Sequence, residues 1–496
     1  MAHRLAIFLL SAIALASSCA ARAHESDRPV TVNQEIRIGA KPLKYVAETG
    51  RIAIRDTESG EPHGFMFYTA YRVKSAKLRP LTFLWNGGPG SSSTLLHFEA
   101  FGPKRLEDGA LVHNAETLLT DSDLVFVDPI GSGFSRPAKA EYADEFYGTL
   151  GDIASVTEFV RAWRLLHDAA DAPVFLIGES WGAGRAGATG YALEKRGVRV
   201  SGLVLVSGGT GLQPNAPEEL VEALRIPNLS AVALFHGKVS PPAGSTPDDF
   251  RRTAEAWARD TYAPALGNVA SLPSDERGAI VAGLARFTGF PGEKIDRKTL
   301  RVTPRQFREE LLRAEGKTLD IFDMRRVAGD GGGSPNELLE NYIRRDLGYR
   351  TDLPYLGLSG GFDQGYAPGG EPPQSVNARW DYFTISMSKE EKDAAFVEAV
   401  RVGGGPPRGG PPPPSTGEAV RLNPRMRVLI ASGLYDSLAN CAGSEEVEAR
   451  LEGELREALQ FECYIGGHMM YRDAKSRQKF RTDILRLMEQ STAASP

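Results

Sequence analysis

The 496-residue chain is poor in the residues that hold metals. It has 3 cysteines and 8 histidines, with no H-E-x-x-H pattern and no close His/Cys cluster, so neither a metal nor a cofactor is expected. An excess of one charge is also lacking. Lys and Arg number 58 against 63 Asp and Glu, a formal net charge of −5, which offers no basic surface for nucleic acid or an anionic membrane. Long hydrophobic runs are missing too. The apolar run from Leu5 to Ala16 is too short to span a bilayer. His3 and Arg4 precede it, and Ala21-Arg22-Ala23 follows as a small-x-small cleavage site. Residues 1–23 therefore read as a signal peptide, the product as periplasmic or secreted, and no integral membrane segment is expected once it is removed. Cys19 offers a second reading as a lipidated cysteine, although "LASSC" has no leucine three residues before it. The other two cysteines, Cys441 and Cys463, are candidates for a disulfide in such a compartment.

What is present is a chain long enough for one large core with a sizeable insertion, or for two domains. Residues 31–85 alternate in strand fashion, with hairpin-like "ETG" and "ESGEPHG" between runs, which predicts an antiparallel entry ending in "LTFLW". Apolar strands then alternate with helical stretches: "LVFVDPIG", a helix near 151–168, "PVFLIGES", an Ala-rich helix, and "VSGLVLVSGG". That rhythm predicts an α/β fold with a parallel sheet covered on both faces. The first part of this core is expected over 31–211. Between 212 and 420 amphipathic helices predict an insertion or lid, closing in the Pro/Gly-rich stretch 402–419, which reads as a solvated linker unable to form a core element. The core resumes over 421–490 with "RVLIASG", a helix from about 443 to 458, and "LQFECYIGG".

The sharpest motif is "FLIGESWGAG", residues 175–184. A buried strand runs straight into a helix at Ser180, with Gly178 and Gly182 two residues either side. This G-x-S-x-G elbow presents a serine hydroxyl at the carboxyl end of a parallel sheet. An alcohol needs a base, itself oriented by a third group. Only His236 and His468 follow Ser180, and His236 falls within the helical insertion. His468 ends the last apolar strand and Asp436 stands just past the strand before it. The order Ser180, Asp436, His468 is the one found on α/β-hydrolase sheets. An oxyanion hole needs two N–H donors. The Trp181 backbone supplies one, and the turn "LWNGGPGSSS" (84–93) after an early strand supplies the other.

With these residues assembled, the chain resembles the serine carboxypeptidase family. "NGGPGSS" (86–92), "DPIGSGFS" (128–135), "GESWGAG" (178–184) and "GGHMM" (466–470) match that family's blocks in order. The resemblance implies Ser180 as nucleophile, His468 as base and acid, Asp436 as orienter, and Gly88 with Trp181 as oxyanion donors. It also implies that Asn86, Gly87 and Glu179 recognise a peptide's free C-terminal carboxylate, with Met469 lining the leaving-group pocket. Two carboxylates are tolerable side by side only when they share a proton. The chain departs from the family in several places. Tryptophan follows the nucleophile, Ser91 replaces a cysteine, and Ala100 stands where a second carboxylate-binding glutamate would be, with Glu99 one residue early. The implied substrates are peptides with a free C-terminus. A carboxylesterase or acyltransferase on the same scaffold, or a non-catalytic binding protein, are the alternatives. Oligomeric state has no signature in the chain.

Overall fold

A computed structural model describes residues 28–212, 216–329, 336–357, 375–401, 409–410, 413 and 415–493. The signal-peptide reading of 1–23, with Cys19, lies outside them. Three long antiparallel strands open the fold: β1 (Val30–Ile38), β2 (Lys41–Arg55) and β3 (Pro62–Arg72). They are followed by β4 (Leu81–Trp85), a small hairpin of β5 (Lys104–Glu107) and β6 (Ala110–His113), β7 (Asp123–Asp128) and the short β8 (Arg136–Pro137). The remaining strands are β9 (Val174–Glu179), β10 (Val200–Val206), β11 (Arg427–Gly433) and β12 (Leu459–Tyr464).

The main sheet runs β1-β2-β3-β7-β4-β9-β10-β11-β12, with β8 paired to β3. From β7 to β12 every pairing is parallel. β4 thus belongs to the parallel part, a correction to its expected place at the end of the antiparallel entry. Its five residues are all buried, as a strand inside a covered sheet must be. Along β9 the side chains divide by parity. Val174 and Leu176 join the core beneath helices Thr149–Leu166 and Trp181–Lys195, whereas Phe175 and Ile177 join the core beneath helix Ala474–Ala493. This parallel sheet, entered by antiparallel strands and covered on both faces, is an α/β-hydrolase fold.

The long segment between β10 and β11 is not one body. Residues from Ala223 to Met324 build a helical core of their own. Beyond it, Tyr342, Tyr349 and Tyr355 pack on one face of the sheet, and Val376 and Trp380 on the other. The expected linker and the restart of the core at 421 both need correcting at their junction. Much of 402–414 lies outside the described residues, but Ser415 caps a helix, Thr416–Leu422, through a capping box with Glu418. That helix joins the core, burying Ala419 and Val420, because Gly187 lets it come close: a Cβ there would lie 2.4 Å from Thr416 Oγ1. The single helix expected over 443–458 is two, Cys441–Ala449 and Gly453–Ala458. Gly453, at φ +54, resets the backbone where the second begins. Cys441 and Cys463 form a disulfide with a Cα–Cα distance of 5.7 Å, joining the first of these helices to β12.

Candidate active site

Ser180 occupies a backbone conformation, φ 58 and ψ −125, that a residue with a Cβ rarely adopts. The surroundings enforce it. A Cβ on Gly178 would fall 1.9 Å from the Gly182 carbonyl, and one on Gly87 would fall 2.4 Å from the Trp181 nitrogen. Strand, turn and helix therefore close on each other with no room for side chains. Below the turn, the Trp85 indole N–H donates to the Gly182 carbonyl at 2.9 Å, and the Ser180 N–H donates to the Val206 carbonyl at 2.8 Å. The side chain stays half-buried, open to an incoming group.

Asp436 and His468 follow β11 and β12 and meet at 2.7 Å, Oδ2 to Nδ1, both buried. The Leu438 N–H occupies the other Asp436 oxygen, Oδ1, at 2.9 Å. The His468 backbone is held from two sides. Its N–H donates to the Phe322 carbonyl at 2.6 Å, and its own carbonyl accepts from Ser207 Oγ at 2.7 Å. Because Ser180 bonds Val206 and His468 bonds Ser207, serine and histidine converge on one stretch of chain at the end of β10. Burial opposes charge on the imidazole. The Asp436 carboxylate, reinforced by Glu179, outweighs it and holds the histidine above its ordinary pKa. Nε2 is buried and has no hydrogen-bond partner among the described residues. His236 belongs elsewhere, bonded to the Met324 carbonyl at 2.8 Å within the helical segment.

The Trp181 N–H opens a helix, where no preceding turn offers an acceptor. The Gly88 N–H makes no backbone hydrogen bond among the described residues, and Gly88 has φ +99. Asn86 is positioned from both ends: its Oδ1 accepts the Leu96 N–H at 3.2 Å, and its carbonyl accepts Arg185 Nη1 at 2.8 Å. Arg185 is in turn paired with buried Asp152 at 2.6 Å. The Asn86 amide then donates to Glu179 Oε1 at 2.9 Å, and Tyr471 donates to Oε2 at 2.5 Å. Burial is the main reason the Glu179 carboxyl is pushed up from 4.5 to about 7. Ionising it in place is harder by about 3 kcal/mol. Met469 lines a cleft of about 460 Å³ together with Gly467, Phe322, Asp323 and Arg472.

Sequence reasoning missed Tyr471, Ser207, Phe322 and the pair Glu99–Arg472. Glu99 stands on a π-helical turn, Leu96–Phe101, and both its oxygens accept from Arg472. The one residue by which Glu99 departs from the family spacing was the available signal, since a π turn takes up an extra residue. Among the described residues, no group of three His, Cys, Asp or Glu could hold a metal ion, and no helix is long and apolar enough to cross a membrane.

The sequence profile of the family described as serine carboxypeptidase matches residues 42–188, which include the elbow, the glycine turn and Glu179. That segment is serine carboxypeptidase-like. Two relatives agree. The pheromone-processing carboxypeptidase KEX1 of Verticillium alfalfae is 31% identical over 121 residues, 24% of this chain and 19% of that protein. Its namesake from Fusarium vanettenii is 31% identical over 126 residues, 24% and 20%. The chain thus spans about a fifth of the length of the relatives it matches. Among solved structures, VinJ is 14% identical with a TM-score of 0.36, covering 89% of this chain and 98% of that one. Proline iminopeptidase of Mycobacterium smegmatis is 12% identical with a TM-score of 0.32, covering 94% and 100%.

Proposed function

We propose that this chain is an exported serine carboxypeptidase-like hydrolase that removes C-terminal residues from peptides through an acyl-enzyme on Ser180. The observation that carries the reading is the Asn86–Glu179 pair beside the elbow. An amide and a carboxyl that keeps its proton to about pH 7 offer donors to a substrate carboxylate, which a plain esterase does not need. Export is supported by residues 1–23 of the sequence.

In this mechanism His468 Nε2 takes the proton from Ser180 Oγ as the oxygen attacks the carbonyl carbon of the last peptide bond. Asp436 keeps Nδ1 protonated and favours the imidazolium that forms. The Gly88 and Trp181 N–H groups, with the helix N-terminus behind Trp181, receive the developing oxyanion. His468 then protonates the leaving amine, and the freed amino acid departs past Met469. Water, activated by the same imidazole, releases the shortened peptide. The helical segment 223–324 acts as a lid, since its Phe322 carbonyl and ring both contact His468.

A mixed peptide library digested at pH 5 and 7.5 and read by mass spectrometry tests this. Ladders shortened one residue at a time from the C-terminus are expected. Internal cuts, or none while a fluorophosphonate still labels Ser180, would turn the assignment to an esterase or acyltransferase. Failure of the folded protein to label would favour a binding protein.

A further inference from the structure

Arg472 lies four residues beyond His468, at the end of the short turn Met470–Arg472, and lines the same cleft as Met469. Its neighbour Tyr471 holds Glu179, so the guanidinium is mounted next to the residue that fixes the carboxylate-binding carboxyl. Nε and Nη2 bind Glu99 at 2.5 and 2.9 Å. A guanidinium has five N–H donors. Nη1 makes no hydrogen bond among the described residues, and the side chain is 40% exposed. Glu99 projects from the turn whose first residue, Leu96, donates to Asn86. Arg472 is thereby tied to both members of the Asn86–Glu179 pair. Another cation at the cleft, Arg325, is already matched: it takes Asp323 at 2.6 Å and Asp473 at 2.8 Å.

We propose that Arg472 is a second anchor for the substrate's C-terminal carboxylate, engaging it through the donors that Glu99 leaves free, with Glu99 as a competing anion that limits how tightly the product amino acid is held. This rests on the carboxypeptidase reading of the Ser180 site and adds a group to it. A shared proton on Glu179 is lost as pH rises, whereas a guanidinium keeps its charge throughout. Planar, bidentate recognition of carboxylates is the geometry in which arginine excels. The rival account is an ordinary surface ion pair, contributing little to stability and nothing to recognition.

The two accounts separate by sign. The substrates are one peptide with a free C-terminus and the ester of the same acyl group lacking a carboxylate, compared as a ratio of kcat/KM. Arg472→Gln is expected to lower the acid-to-ester ratio at least tenfold, with Arg472→Lys recovering part of it. Glu99→Gln frees the guanidinium and is expected to lower KM for the free-acid peptide about threefold, and to tighten inhibition by free amino-acid product. Urea unfolding midpoints of the variants check that each is folded. If Glu99→Gln raises KM as Arg472→Gln does, or if the ratio is unchanged in Arg472→Gln, Arg472 is not an anchor. If the wild-type protein turns over the ester but never prefers the free-acid peptide, the carboxypeptidase reading itself fails, whatever the variants do.

Discussion

Ser180 and His468 stand over the same end of the sheet, after β9 and β12 with β10 and β11 between them, yet different parts of the chain fix them. The serine's turn is held by the sheet core and the glycine-bearing segments that surround it: Gly178 against Gly182, Gly87 against the Trp181 nitrogen, and the Trp85 indole beneath. No side chain from the helical segment is needed. The histidine and aspartate are clamped by that segment. The Phe322 carbonyl takes the His468 N–H, the Met324 N–H goes to the Tyr435 carbonyl, Ser437 Oγ reaches the Ile321 carbonyl, and Asn228 reaches the Leu434 carbonyl. The geometry of Ser180 is thus built into the sheet, while that of the Asp436–His468 pair depends on the helical segment 223–324. A fold arranged this way can change the helical segment 223–324 without disturbing the elbow.

The largest effects come from deleting the chemistry on either side. Ser180→Ala is expected to lower kcat by about 10⁶-fold and Asp436→Asn by about 10⁴-fold. Steady-state kinetics on a chromogenic ester measures both. Under the proposed mechanism the Asn variant presents the wrong imidazole tautomer, because an amide donor in place of the carboxylate no longer accepts the Nδ1 proton. A loss of only tenfold in Asp436→Asn would remove Asp436 from its role as orienter.

The same division decides how much could be read from the sequence. The elbow was legible because steric demand writes itself locally: small residues at fixed offsets around Ser180, after an apolar strand. Asp436 and His468 were legible by position, each just past a buried run. The clamp was not. Phe322 and Ile321 act through backbone carbonyls, for which side-chain identity carries no signal. Tyr471 is a lone tyrosine whose partner, Glu179, lies 292 positions away. Helix Thr416–Leu422 was hidden behind proline and glycine, although its capping pair, Ser415 and Glu418, stood in plain view. The composition of the neighbouring residues outweighed it.

An intermediate effect sharpens the electrostatic link between the halves. Glu179 sits on the nucleophile side, and its charge helps raise the pKa of His468. Its own pKa is raised to about 7, so the protonated, donating form prevails below that value and is lost as pH climbs through it. The KM for free-acid peptides should therefore rise about tenfold between pH 6 and pH 8. Glu179→Gln should flatten this limb. The acid limb of kcat, set by protonation of His468, should stay in place, because Glu179 is already uncharged below about pH 7. A full pH profile of both parameters checks the two limbs together. An alkaline limb that survives in the Gln variant would show that some other group titrates there.

The smallest effects test whether the halves are as separable as they look. Ser437→Ala deletes the 2.6 Å bond to the Ile321 carbonyl, worth about 1 kcal/mol, and loosens the clamp next to Asp436. Trp85→Phe deletes the 2.9 Å bond to the Gly182 carbonyl under the elbow, in a fully buried position. On stability alone the tryptophan change should cost more, because it removes a fully buried hydrogen bond and packing in the core. On turnover the order should reverse. The serine's turn has several independent restraints, whereas the aspartate loop meets the 320s through a few hydrogen bonds. Ser437→Ala is expected to lower kcat about threefold with little change in urea midpoint, and Trp85→Phe to lower the midpoint with kcat within twofold. If the tryptophan variant proved the slower enzyme while still folded, the elbow would not be independently held, and the contrast between the two halves would collapse.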